Sequence, residues 1–262
     1  MLGPAFYLAG DSFPEDLDFG NDCRERLAPA FSGWVGQQQI LDLAGEREYR
    51  NDFATRLALL GRVFPRRSLA ARLAPLRRRL GWRSLGAREV LIGRSSGARL
   101  ASVFAERRRV AAVICFSYPF RNPHSVIQPQ RFAHLAQTTV PTLIFQGYRD
   151  IYGSDDITEN YALSPSVAVR FVDAEHGFAV PPAVWDTVAE TVFAFLERVE
   201  RLQPVEPLPF DEAYYLGLQT DVAAEVARGL YGSGLEHFQR CGRRDGRRSR
   251  LLHDRSEKLP GK

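Results

Sequence analysis

The segment from Gly93 to Gly97 has the pattern Gly-x-Ser-x-Gly and places a serine where it could act as a nucleophile. The apolar residues Val90 to Ile92 precede it and predict a buried strand, and Ala98 to Arg107 follow with apolar residues at helical spacing. A strand, a tight turn and a helix in this order form a nucleophile elbow, which exposes the serine hydroxyl above a sheet edge. Glycines flank the turn because a Cβ there would collide with the neighbouring strand or helix. The segment therefore predicts Ser95 as a nucleophile.

A serine nucleophile needs a base and a group that orients the base, and both residue types follow Ser95 in the chain. Asp150 comes just after the apolar run Val140 to Gly147, and His176 follows the apolar stretch Val167 to Val172. Each of these residues thus lies just beyond a predicted strand. Because the carboxyl ends of parallel strands share one sheet edge, where ligands bind, we expect the serine, the acid and the histidine to meet there.

Together these motifs resemble the α/β-hydrolase superfamily, and in particular its small, lidless, dienelactone-hydrolase-like members. The resemblance covers roughly residues 4 to 200, and its motifs are Gly-Arg-Ser-Ser-Gly at 93–97, Cys-Phe-Ser-Tyr-Pro-Phe at 115–120, Pro-Thr-Leu-Ile-Phe-Gln-Gly-Tyr-Arg-Asp at 141–150 and Glu-His-Gly-Phe at 175–178. It implies an α/β fold with a doubly wound, mostly parallel sheet. It also implies an esterase in which Ser95 is the nucleophile, Asp150 the acid and His176 the base.

The resemblance also assigns the oxyanion hole, which two backbone N–H groups are expected to form. One belongs to Ser96, the residue after the nucleophile, and the other comes from the loop that follows an early strand. That strand is predicted at Ala5 to Ala9, so we place the second donor at Asp11. The family often has His-Gly where this chain has Ala9-Gly10, and a carboxylate so close to a developing oxyanion is unfavourable unless it is paired or points away.

Three further residues are expected to contact the substrate. Arg94 lies inside the elbow, where it could hold a carboxylate or phosphate of the substrate or pair with a structural acid. Tyr118 and Phe120 lie just past the apolar run Val110 to Phe116, which predicts a central strand, and we expect both to line the site.

A second catalytic interpretation uses Ser12 as the nucleophile. Gly10-Asp11-Ser12, with Asp173-x-x-His176 late in the chain, has the outline of a GDSL-type hydrolase, and Gly20-Asn21 could supply a further block. That pair follows the first strand too soon to belong to a later strand end. This interpretation also leaves the serine elbow and the Asp150 strand end without a role.

Composition is typical of a soluble globular protein. The chain has 262 residues, of which 45% are hydrophobic, and none of its apolar runs approaches the roughly 18 residues that span a bilayer. The three cysteines are scattered, which favours a reducing cytoplasm over a disulfide framework. We expect no metal and no cofactor, because no residues have metal-ligand spacing. The net charge is +4, but no pattern of aromatic residues interleaved with basic ones supports nucleic-acid binding. We therefore expect no nucleic-acid partner.

Arginine is concentrated in two places, Arg62 to Arg88 and Arg240 to Arg250. Leucines at helical spacing in the first cluster are typical of a helix that precedes the elbow strand, with its leucine face on the sheet. The alternative is a basic amphipathic flap that binds an anionic substrate, a partner or a membrane surface.

The remaining layout alternates strands and helices. We predict a second strand at Gln37 to Leu43, helices at Cys23 to Phe31 and Asn51 to Arg62, and a closing amphipathic helix at Pro182 to Leu202. The expected sheet is a reduced one of about six strands.

We expect the chain to divide into a hydrolase domain at 1–202, a proline-rich linker at 203–209, a small helical module at 210–245 and a disordered polar tail at 246–262. The module resembles an appendage of bacterial proteins that handle surface polysaccharides, through Tyr214-Tyr215-Leu216, Thr220-Asp221-Val222, Ser233 to Phe238 and Gly242. We expect two short helices there, with Val222, Val226 and Leu230 on one apolar face. The module could bind a protein partner.

Two functions are therefore open. The first is a serine hydrolase of esterase or deacylase type that acts on a small or glycan-linked acyl ester. The second is a hydrolase-like scaffold with weak catalysis that binds a partner through the arginine-rich helix or the C-terminal module.

Overall fold

The computed structural model describes residues 2–15, 17–64, 89–201 and 212–242. Most of the predicted arginine-rich helix lies outside these residues, and so do the whole linker and the whole polar tail. The described strands are β1 (Ala5–Leu8), β2 (Trp34–Val35), β3 (Val90–Arg94), β4 (Ala112–Phe116), β5 (Thr142–Gly147) and β6 (Val167–Val172). The described helices are α1 (Leu17–Leu27), α2 (Gln37–Ala44), α3 (Phe53–Val63), α4 (Ser96–Arg107), α5 (Ile157–Asn160), α6 (Pro182–Glu200), α7 (Glu212–Leu218), α8 (Thr220–Ala227) and α9 (Gly234–His237).

The strands form one six-stranded sheet in the order β2-β1-β3-β4-β5-β6, and every neighbouring pair is parallel. The chain runs from β1 outward to β2, then crosses to β3 on the other side of β1 and continues outward through β4 and β5 to β6, as a doubly wound sheet requires. The fold prediction is confirmed. One consequence is that the residues following β1, β3, β5 and β6 lie at the same edge of the sheet.

Helices cover both faces of the sheet. On one face, Phe19 of α1 and Trp185 of α6 pack against Phe116 of β4. On the other face, Leu60 of α3 and Leu100 of α4 belong to a second buried cluster. Strands covered on both faces are apolar along their length, which is why β3, β4 and β5 could be recognised in the sequence as short continuous apolar runs.

The prediction of a second strand at Gln37 to Leu43 is wrong, because that segment is helix α2 and the strand is Trp34–Val35. Gln37, Ile40 and Leu41 are its buried residues, at the spacing of one helix face. The helix start is fixed locally, since the Gln39 side chain accepts the Gly36 N–H at 2.8 Å. The first helix is also shifted, to Leu17–Leu27.

The described part of the C-terminal module is helical, with α7, α8 and α9 followed by a π-helical turn at Phe238–Gly242. Its helices are held by polar contacts: the Glu212 carboxylate accepts the N–H of Leu235 at 3.1 Å, and Tyr215 Oη lies 2.8 Å from His237 Nδ1. Val222 is buried as expected, but Leu230 is exposed, because the chain leaves α8 before reaching it.

His134 contacts a buried serine of α4 and gives a pH prediction. Its Nε2 lies 2.8 Å from Ser102 Oγ, and burial lowers the pKa of His134. The folded state therefore holds the imidazole neutral where the unfolded chain already protonates it, so its contribution to stability is complete above about pH 6.5 and is lost as pH falls. We expect His134→Gln to lose less unfolding free energy than the wild type between about pH 7.5 and pH 5 in urea titrations. Equal losses in the two proteins would contradict this assignment.

Candidate active site

Ser95 occupies the turn between β3 and α4 with φ 51° and ψ −122°, a backbone conformation that non-glycine residues rarely adopt. Its N–H donates to the Phe116 carbonyl of the adjacent strand at 2.9 Å. The flanking glycines have no room for a side chain. A Cβ at Gly93 would lie 2.4 Å from the Gly97 carbonyl oxygen, and a Cβ at Gly97 would lie 2.1 Å from that of Leu8. Backbone packing thus holds the elbow in its strained form.

The structure brings Ser95, His176 and Asp150 together in one hydrogen-bonded chain. Ser95 Oγ lies 2.9 Å from His176 Nε2, and His176 Nδ1 lies 2.9 Å from Asp150 Oδ2. An ionised carboxylate can only accept, so the proton belongs on Nδ1 and the lone pair on Nε2 faces the serine. The Asp150 side chain is fully buried, whereas 24% of the His176 side chain is exposed. This arrangement can take a proton from the serine hydroxyl and stabilise the resulting imidazolium.

Contacts between the ends of β5 and β6 bring the acid and the histidine within reach of each other. Gly147 passes so close to the next loop that a Cβ would lie 2.3 Å from the Ala174 carbonyl oxygen. The Arg149 N–H donates to that same carbonyl at 3.1 Å, and the Arg149 guanidinium pairs with Asp173. Asp173 is the acid that the Ser12 interpretation requires. The His176 Nδ1 instead faces Asp150, so the geometry favours Ser95.

Gln146 is a residue that the sequence interpretation missed. Its side chain is fully buried, and its Nε2 donates to Asp150 Oδ2 at 2.9 Å and to the Gly153 carbonyl at 2.6 Å. Its Oε1 accepts the Tyr118 N–H at 3.0 Å. The signal in the sequence is a single amide inside an otherwise apolar strand, because a buried polar side chain requires partners.

Tyr152 was also missed. Its N–H donates to Asp150 Oδ1 at 2.8 Å, and its ring lies with its centroid 4.3 Å from that of His176. Its position two residues after the acid was the available signal, since a carboxylate often accepts a backbone N–H two residues on.

If Asp150 orients His176 for ester hydrolysis, as the resemblance implies, then we expect Gln146→Leu to lower kcat by about tenfold to a hundredfold, because a small displacement of a catalytic group costs that much. The variant frees one Asp150 oxygen and leaves the Tyr118 N–H without an acceptor. Gln38→Leu is the matched control, since Gln38 is exposed and bonds Asp42 at 3.1 Å on the surface. If Gln146→Leu is folded and retains wild-type kcat, then Gln146 does not position the acid.

The two expected oxyanion donors lie on adjoining segments. Neither the Ser96 N–H nor the Asp11 N–H donates a hydrogen bond within the described residues. The Asp11 carboxylate is paired: its Oδ1 accepts from Ser96 Oγ at 2.6 Å and from Arg56 Nη1 at 3.1 Å. Two open N–H groups are what an oxyanion hole requires.

The three residues predicted to contact the substrate, Tyr118, Phe120 and Arg94, are all buried. Tyr118 and Phe120 are fully buried in the core, so the expectation that their side chains line an open site is wrong. The Tyr118 hydroxyl donates to the Arg131 carbonyl at 2.6 Å, and burial raises its pKa. Arg94 is buried as well. It donates to the Gly177 carbonyl at 3.4 Å and lies 5.3 Å from the centroid of the Phe19 ring. It therefore contacts the loop that carries His176, and a substrate role for it remains a prediction.

The described residues lack two further features. They contain no group of three histidine, cysteine, aspartate or glutamate side chains that could hold a metal ion. Among the helices described, none has the length and apolar character needed to cross a membrane.

The comparison with protein families matches the part of the chain that contains Ser95, Asp150 and His176. Residues 68–200, just over half of the chain, match the family model described as an alpha/beta hydrolase domain. No curated protein matches the chain.

Solved structures to which the chain is similar include a YdeN-like hydrolase from Pectobacterium atrosepticum, which is 17% identical with a TM-score of 0.47, and the match covers 76% of this chain and 92% of that one. An alpha-beta serine hydrolase homologue from Coxiella burnetii is 18% identical, with a TM-score of 0.43 and coverage of 74% and 85%. A thermophilic esterase from Thermogutta terrifontis is 18% identical, with a TM-score of 0.43 and coverage of 75% and 90%. Because the family model matches more than half of the chain, and because the structure has a parallel sheet with a nucleophile elbow, the chain belongs to the α/β-hydrolase superfamily.

Proposed function

We propose that this protein is a serine hydrolase that transfers the acyl group of an ester to water, with Ser95 as nucleophile, His176 as base and Asp150 as acid. The single observation that carries the proposal is the continuous contact from Ser95 Oγ through the His176 ring to the buried Asp150 carboxylate, at 2.9 Å on both sides. Residue type, order along the chain and strand-end position all agree with it.

In the first half of the reaction, His176 Nε2 takes the hydroxyl proton as Ser95 Oγ attacks the ester carbonyl. The carbonyl oxygen becomes negatively charged and is held by the N–H groups of Ser96 and Asp11. Asp150 stabilises the imidazolium through Nδ1–H. The imidazolium then gives its proton to the departing alcohol, which leaves an acyl group on Ser95.

In the second half, water replaces the alcohol. His176 removes a proton from the water as it attacks the acyl carbonyl, and the same two N–H groups hold the second oxyanion. Collapse of that intermediate breaks the bond to Ser95 Oγ, which recovers its proton from His176. The carboxylic acid is released and the enzyme is restored.

The substrate we propose is a small acyl ester, with a glycan-linked ester as the specific candidate. The glycan link rests on the resemblance of the module at 210–245 to polysaccharide-associated appendages. We place the protein in the cytoplasm, because Cys23, Cys115 and Cys241 are free thiols. The alternative is a scaffold that binds a partner through the arginine-rich segment or the module.

The test is turnover of 4-nitrophenyl acetate and of O-acetylated sugars by the wild type and by Ser12→Ala. We expect both proteins to hydrolyse 4-nitrophenyl acetate with the same kcat. Loss of turnover in Ser12→Ala would support the GDSL-type alternative. Absence of turnover of every ester by folded wild-type protein would support the scaffold.

A further inference from the structure

We propose that Arg56 is a positioning residue for the oxyanion hole, where it fixes both donor segments and neutralises the carboxylate that this chain carries beside them. The inference rests on the proposed function and deepens it. It also accounts for a departure of this chain from its family, since Ala9-Gly10-Asp11 occupies the place where His-Gly is common.

Arg56 connects the two segments that supply the oxyanion donors. Its Nη2 donates to the Ala9 carbonyl at 2.6 Å, and its Nη1 donates to Asp11 Oδ1 at 3.1 Å and to Ser96 Oγ at 2.8 Å. Ser96 Oγ in turn donates to Asp11 Oδ1 at 2.6 Å. One guanidinium therefore ties the loop after β1 to the residue that follows the nucleophile. A planar guanidinium with several donors can satisfy such a set at once, whereas a lysine ammonium cannot match its fixed geometry.

The position of Arg56 is itself fixed. It lies in the first turn of α3, where its N–H donates to the Asp52 carbonyl at 3.0 Å and the Asp52 side chain accepts the Thr55 N–H at 2.7 Å. Only 5% of the Arg56 side chain is exposed. A buried side chain at a capped helix start has little freedom, so its contacts hold the loop in a defined place.

Two other side chains hold the same loop. The Gln37 Oε1 accepts the Ala9 N–H at 3.1 Å, and the Tyr49 hydroxyl donates to the Gly10 carbonyl at 2.7 Å. Together with Arg56, they bond the N–H of Ala9 and the carbonyls of Ala9 and Gly10, and the Asp11 N–H stays open for the oxyanion.

Charge gives Arg56 its second role. The Asp11 side chain is 60% exposed and, if it were unpaired, its negative charge would oppose a negative charge developing at the N–H of the same residue. Arg56 offsets that charge from the buried side, where solvent screens it less. The ion pair thereby permits an aspartate in the oxyanion loop.

The experiment compares Arg56→Ala with Arg62→Ala in steady-state hydrolysis of 4-nitrophenyl acetate. Arg62 lies on the same helix but pairs with Glu46 at the surface, so Arg62→Ala removes the same charge and leaves the loop intact. We expect Arg56→Ala to lower kcat by about tenfold to a hundredfold with KM changed less than about twofold, because the donors act chiefly in the transition state. Arg62→Ala should retain wild-type kcat.

Chemical rescue separates positioning from general folding damage. Arg56 lines a cavity of about 110 Å³, so free guanidinium can replace the deleted group. We expect millimolar guanidinium to restore part of the kcat of Arg56→Ala and none of the kcat of Ser95→Ala. Adding Asp11→Asn to Arg56→Ala should also raise kcat, because the unpaired carboxylate is removed.

The outcomes are distinct. If the folded wild type hydrolyses neither 4-nitrophenyl acetate nor the O-acetylated sugars, then the proposed function fails. If it does, and folded Arg56→Ala keeps kcat within twofold of the wild type, then the positioning role is overturned. Should Arg56→Ala fail to fold, Arg56→Lys keeps the positive charge but lacks the fixed set of donors, and wild-type kcat in that variant overturns the inference.

Discussion

Replacing either Ser95 or His176 with alanine is expected to lower kcat for ester hydrolysis by about 10⁴-fold to 10⁶-fold, and the double variant should be no slower than the worse single one. The two residues act as one unit, because the serine hydroxyl is a poor nucleophile until Nε2 takes its proton. Once either residue is absent, removing the other causes no further loss, because proton transfer from the hydroxyl to Nε2 is already abolished. Residual rate would come from substrate binding and the oxyanion donors.

The matched control is His134→Gln. His134 also lies 2.8 Å from a serine oxygen, but that serine, Ser102, is buried and also donates to the Arg99 carbonyl. We expect this variant to retain wild-type kcat. Additive losses in Ser95→Ala/His176→Ala would contradict the coupled nucleophile and base, and so would a loss below tenfold in either single variant.

Replacing Gly97 with alanine is expected to destabilise the protein by about 3 kcal/mol or more and to remove most activity. The new Cβ would lie 2.1 Å from the Leu8 carbonyl oxygen and 2.4 Å from that of Ala9. Both atoms are backbone at the end of β1, so they can move only if the sheet edge or the elbow moves with them. The same movement would displace the Ser96 N–H, which we assign to the oxyanion hole.

Gly61→Ala is the control for that substitution. Gly61 lies inside α3, and a Cβ there would meet no atom within 4 Å. We expect it to raise the free energy of unfolding by about 0.5–1 kcal/mol, because alanine loses less backbone entropy in a helix. Urea unfolding at fixed pH measures both variants. A Gly97→Ala protein as stable as the wild type would show that the elbow tolerates a side chain.

Most of the sheet could be predicted from the sequence, because β3, β4, β5 and β6 are short apolar runs that stop at a glycine or a polar residue. Buried parallel strands have that composition, and few other elements do. The meeting of Ser95, Asp150 and His176 at one sheet edge could be predicted for the same reason, since each residue follows such a run. The segment Gln37 to Leu43 was predicted as a strand because its apolar residues also fit a strand. In the structure it is a helix that begins at the Gly36–Gln39 contact and ends at Gly45, which has a left-handed backbone conformation.

Side-chain neighbours across the fold could not be predicted. Arg56 lies 40 residues from Ser96 and reaches it only because α3 packs beside the elbow. Tyr118 and Phe120 were expected at the site because they follow a strand, but both side chains are buried in the core. Their burial depends on packing against residues distant in the sequence, which no local pattern reveals. The Asp11 carboxylate looked unfavourable in the sequence, and its partner lies on an element that no local pattern links to it.

The measurement that tests the central claim most directly is labelling with a fluorophosphonate probe, followed by peptide mass spectrometry. We expect the wild type to be modified at Ser95 and His176→Ala to remain unmodified, because only an activated serine reacts. Modification at Ser12 would contradict the assignment of the nucleophile. Folded wild-type protein without any modification would contradict the serine hydrolase itself.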